Sequence, residues 1–128
     1  MLTGNRITLI ETNSFRHLPN LVTLILTHNA IESIDAKSFV YLDNLQKLEL
    51  QFNKLSEFSL NAFENCTKYQ NNPLTLNISH NQIRHLTPMS NNRVPLIQVR
   101  TYVRTKPQYN KVLLVRTVVV VRLSCILL

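Results

Sequence analysis

Apolar residues return along the first two thirds of the chain in three ordered columns. Each unit opens on a short run: Leu21, Leu24 and Leu26, then Leu45, Leu48 and Leu50, then Pro73, Leu76 and Ile78. An asparagine closes the run. Asn5, Asn29 and Asn53 are 24 residues apart, and Asn81 follows after 28. An apolar pair comes next: Ile7 and Ile10, Ile31 and Ile34, Leu55 and Phe58, Ile83 and Leu86. Ten residues past the asparagine stands Phe15, Phe39 or Phe63, followed by Leu18, Leu42 or Cys66. Alternation through Leu24-Ile25-Leu26 predicts a strand with the leucines inward and Ile25 outward. One unit cannot bury its leucines alone, so a repeat of this period predicts an α/β solenoid of about three to four stacked turns. Short parallel strands line its concave face, and irregular or short helical segments return along the convex side.

Each column has its own physics. The asparagine sits where the chain leaves the strand, and its amide can satisfy backbone groups that the turn leaves unpaired. Asn5, Asn29, Asn53 and Asn81 are therefore expected to form a ladder. Phe15, Phe39 and Phe63 are expected to stack as a spine on the convex side. The outward strand positions form a candidate protein-binding face: Thr23, Ile25, Thr27 and His28 in one turn, Lys47, Glu49, Gln51 and Phe52 in the next, Thr75, Asn77, Ser79 and His80 in the third. Phe52 is a large apolar side chain directed out of a sheet, with a histidine one strand away on each side. His28 and His80 lie two strands apart, roughly 10 Å, which is too far for one metal ion to bridge.

The third unit departs from the pattern. Phe63 and Asn81 are 18 residues apart, where the earlier units have 14. The four extra residues predict a bulged loop over Thr67–Pro73, with Pro73 at a strand start. Cys66 replaces a leucine and reads as a buried thiol acting as a small hydrophobe. After Pro88 the register stops. The chain thus divides into a solenoid, residues 1–88, and a basic, apolar-ended tail, residues 89–128. Residues 112–128 are rich in Val and Leu but contain Arg116 and Arg122, which cancel the apolar gain of a membrane span. Valine runs favour strands. Met1 and Leu2 fall on strand positions, with no polar cap ahead of them, so the chain reads as a fragment or an incomplete gene model. Its first residues do not form a signal peptide.

Charge changes the picture only once it is divided. The net charge is +7. Residues 1–88 carry seven basic and seven acidic residues, whereas 89–128 carry seven basic and none acidic. The high pI belongs to the tail and is no argument for nucleic-acid binding by the repeats. The single glycine leaves no Gly-rich phosphate loop. Neither a Ser/His/Asp set, a carboxylate pair nor a Cys-x-x-Cys pair is present, so neither an enzyme, a cofactor nor a metal is expected. Asn65-Cys66-Thr67 and Asn77-Ile78-Ser79 are N-glycosylation sequons. Two is also the number chance yields for 15 asparagines and 19 serines and threonines in 128 residues.

The 24-residue unit with its phenylalanine resembles the "typical" class of extracellular leucine-rich repeats. LVTLILTHNAIESIDAKSFVYLDNLQKLELQFNKL and PLTLNISHNQIRHL most resemble the chaoptin family of arthropod photoreceptor adhesion proteins; the ectodomains of Toll receptors are similar in pattern. The resemblance covers residues 2–88. It implies a cell-surface parent protein, adhesion or ligand recognition through a protein partner (homophilic pairing included), and no catalysis. A Toll-type receptor and an intracellular leucine-rich scaffold are the alternatives.

Overall fold

A computed structural model describes residues 1–63 and 74–87, together with the backbone of strands at 97–104 and 112–115. Among the described residues nine strands occur in this order: β1 Leu9–Ile10, β2 Thr23–Ile25, β3 Ser33–Ile34, β4 Lys47–Glu49, β5 Glu57–Ser59, β6 Leu74–Asn77, β7 His85–Thr87, β8 Ile97–Arg104 and β9 Val112–Val115. The larger sheet runs β2-β4-β6-β8-β9, and every pairing in it except β8–β9 is parallel. Thr23 pairs with Lys47, and Lys47 with Thr75, so the strands advance by 24 and then 28 residues. Residues 1–4 join the same face: Leu2 N–H donates to Ile25 O at 2.9 Å and Gly4 N–H to Thr27 O at 3.0 Å.

The return segments explain the spacing of the remaining apolar residues. N–H groups of Arg16, Leu18 and Leu21 donate to the carbonyls of Asn13, Phe15 and Leu18; Val40, Leu42 and Leu45 repeat the pattern one turn later. Bonds between residues three apart place every third side chain on one side. Phe39, Leu42 and Leu45 accordingly all face the core and are fully buried. Among the described residues the convex side is almost free of helix. Its one regular helical piece among the described residues is a 3₁₀ turn, Leu60–Phe63. Two further parallel pairs, β1–β3 and β5–β7, lie there instead. The second apolar residue after the asparagine lies beside its counterpart in the next turn, Ile10 with Ile34 and Phe58 with Leu86.

The asparagines bind each turn to its predecessor. Asn53 Nδ2 donates to Leu50 O of its own strand at 2.9 Å and to Leu26 O of the previous one at 3.0 Å, while its Oδ1 accepts Ile31 N–H at 3.1 Å. Asn29 and Asn81 repeat this arrangement. Asn5 has only the local bond to Leu2 O and is exposed. On the far side Phe39 stacks between Phe15 at 5.8 Å and Phe63 at 5.2 Å. Phe15 is only half-buried because it is the outermost ring of the three. Leu18, expected inward with Leu42, is 47 % exposed for the same reason.

Two features go beyond the expected pattern. In the β6 turn the core is filled by Leu74, buried completely, along with Leu76 and Ile78. Pro73, assigned to that column, lies outside the described residues, as do the Thr67–Pro73 loop, Asn65, Cys66 and residues 116–128. Strand order continues past Pro88, where the repeat register stops. β8 pairs with β6 in parallel, Leu74 with Ile97 and Asn77 with Arg100, and extends the concave sheet. β9 then folds back antiparallel on β8. No helix among the described residues is long and apolar enough to cross a membrane.

Truncation separates spine and ladder from their outer members. Phe39→Ala is expected to cost about 3–5 kcal/mol, and Phe15→Ala distinctly less. Asn53→Ala, which orphans buried backbone groups, should cost about 1–3 kcal/mol, whereas Asn5→Ala should be near neutral. Urea denaturation of the four variants checks this ordering.

Candidate functional site

The concave sheet presents two zones. At the entry ends of the strands lies a shallow depression of about 480 Å³ lined by Val22, Thr23, Gln46, Lys47, Glu49, Thr75 and Asn77. Val22 and Gln46 are additions to the predicted face. They share a repeat position with Leu74, which is buried in the next turn. Val22 is 46 % exposed.

Across the floor of this depression three side chains clamp one another. Lys47 Nζ is 2.8 Å from Glu49 Oε1, and Asn77 Nδ2 donates to Glu49 Oε2 at 3.1 Å. Gln51 also hydrogen-bonds the Glu49 carboxylate, leaving its own Oε1 as a buried acceptor without a partner. Burial by itself would raise the Glu49 carboxyl. The bonds from Lys47, Gln51 and Asn77 and the charge of Lys47 outweigh it and hold the group below its ordinary value of 4.5.

Not every outward position is a free surface. Glu49, Thr27 and Ser79 are buried, contrary to the expectation that the whole outward row faces solvent. Side chains of the same strand and of its neighbours close over these positions. Thr27 Oγ1 donates to Thr3 Oγ1 at 3.2 Å, and Ser79 Oγ donates to Asn77 Oδ1 at 2.8 Å. Thr23 and Lys47 remain exposed, and Ile25, Gln51, Thr75 and Asn77 are half-buried. Of the two sequon asparagines, Asn77 thus sits mid-sheet with its amide engaged on both sides.

The second zone is at the exit ends. His28, Phe52 and His80 stack face to face, with ring centroids 4.5 and 4.3 Å apart and planes within 6° and 7° of parallel. Phe52 nevertheless stays 44 % exposed. The flanking histidines were legible in the sequence; their co-stacking was not, since it depends on a shared backbone twist at the three positions. Among the described residues no cluster of three His, Cys, Asp or Glu side chains is placed to hold a metal ion.

The Glu49 clamp gives a pH signature. A depressed carboxyl contributes stability that is full above pH 4.5 and is lost as pH falls through the lower folded-state value. Glu49→Gln is expected to flatten that acid limb of a melting-temperature profile while leaving the neutral-pH plateau nearly unchanged in slope.

The comparison with known proteins agrees with this geometry. No curated protein and no solved structure matches the chain significantly. The leucine rich repeat family profile matches residues 1–55 and 19–83, so together the two matches span residues 1–83. With its strand register, asparagine ladder and phenylalanine spine, the chain belongs to the leucine-rich repeat family.

Proposed function

We propose that the chain recognises a protein partner through its concave sheet, as part of an extracellular adhesion surface. One observation carries the reading: an open parallel sheet whose exit edge holds Phe52, large, apolar and 44 % exposed, between two imidazoles. Exposed aromatics bordered by polar groups are the usual anchors of protein interfaces. Solenoid curvature makes the concave side the surface such repeats bind with. The polar depression beside the ridge supplies the hydrogen-bonding rim, with Thr23 and Lys47 open to a partner and Glu49 already committed to its clamp.

The extracellular, adhesive part of the proposal comes from the resemblance of residues 2–88 to the chaoptin family and from the two sequons. Homophilic pairing suits a face whose described charges balance, since like copies then meet without net repulsion. Neither a catalytic constellation nor a nucleic-acid surface is part of this reading.

The chain, secreted from eukaryotic cells and fixed to beads, is expected to capture beads bearing a second copy or a displayed cell-surface ectodomain. Thr23→Arg, which puts bulk and charge into the depression, should lower capture by about tenfold or more. Tyr41→Arg, an exposed position outside the concave sheet, should leave it unchanged. Capture equally insensitive to both would overturn the concave assignment. Glycosidase treatment of the secreted chain is expected to lower its mass, and the Asn65→Gln, Asn77→Gln double variant to abolish that change; an unaltered mass would count against the extracellular setting.

A further inference from the structure

Gly4, His28, Phe52 and His80 share one place in the repeat, directly before the ladder asparagines. All four have left-handed backbones, with φ of 71°, 54°, 59° and 53°. Glycine takes this conformation without steric penalty, and bulky residues rarely do. The chain nonetheless carries rings at three of the four positions. Those rings add nothing to the apolar core, which lies on the other face of the strands. Backbone strain kept in order to hold exposed rings in a regular stack marks a surface prepared for a ligand.

The stack has an open end. One strand before His28 the column reaches Gly4, held alongside Thr27 by its backbone bond. A Cβ placed on Gly4 meets no atom within 4 Å. Among the described residues, the only ring against His28 is Phe52 on its inner side. The outer face of His28 therefore looks over a space one strand wide, about 4.8 Å, close to the 4.5 Å that separates it from Phe52.

We infer that this space is a stacking site for one aromatic side chain of a protein partner. The ring inserts above Gly4, lies flat on the outer face of His28 and completes a four-ring column. The site selects a ring over an aliphatic group because it offers a flat aromatic face at ring spacing and no enclosing apolar walls. The inference rests on the protein-recognition reading and specifies its anchor.

N-acetyl-tryptophanamide, titrated into the intact chain, is the probe, followed through the ring-proton resonances of the histidines. The expected result is a saturable upfield shift at His28 that exceeds any at His80, with no such shift from N-acetyl-leucinamide. Gly4→His, which fills the space with the chain's own ring in a conformation the column already accepts, should abolish the response. His28→Gly should abolish the tryptophan-dependent shifts elsewhere on the ridge while leaving the melting temperature equal or higher. A response equal for the leucine probe, centred on His80, or undiminished in Gly4→His would overturn the site. Bead capture that survives Gly4→His but falls with Thr23→Arg would also overturn it, and would leave the recognition reading intact. A normal tryptophan response with no capture by any displayed protein would instead overturn the recognition reading.

Discussion

At the exit of each concave strand the backbone turns away from the sheet, and carbonyl groups from two successive strands come to point at the same buried spot. Water cannot reach it. The asparagine amide is the side chain that meets the demand, because it donates twice and accepts once within one small planar group. Asn53 spends its two N–H groups on Leu26 O and Leu50 O and its oxygen on Ile31 N–H. Asn29, Asn53 and Asn81 therefore each staple their own turn to the one before. Strand register, the inward leucines and the phenylalanine column on the far side all presuppose that staple.

The same turn builds the surface. Entering the asparagine from the strand requires a left-handed residue, and this residue's side chain is thrown outward at the sheet's exit edge. Repetition at strand spacing converts three such side chains into a stack of rings. Core and binding edge are thus two consequences of one local constraint. Disturbing the ladder would loosen the ridge as well as the core. The Lys47–Glu49–Asn77 clamp acts separately, tying β4 to β6 across the middle of the face.

Much of this was legible before any coordinates. The period fixed the register of β2 with β4, and the asparagine and phenylalanine positions could be placed because identical residue types recur at identical offsets. What escaped the sequence depends on which nearby side chains meet one another. Alternation says that Glu49 points outward, but not that Lys47, Gln51 and Asn77 close over it. The parallel convex strands were hidden because each is only two or three residues long, below the length at which periodicity speaks. β8 lies outside the repeat register because its run, Ile97–Arg104, carries no asparagine. Leu74 was missed because the matching positions in the earlier turns, Val22 and Gln46, are exposed.

The ridge is preformed, with its rings held in place before any partner arrives. Nuclear Overhauser contacts in the free chain test this directly. Phe52 ring protons are expected to show cross-peaks to the ring protons of both His28 and His80, with Phe52 resonances displaced from their unfolded positions. Phe52 resonances at unfolded positions with no contact to either imidazole, in a chain whose Phe39 is otherwise packed against Phe63, would contradict it.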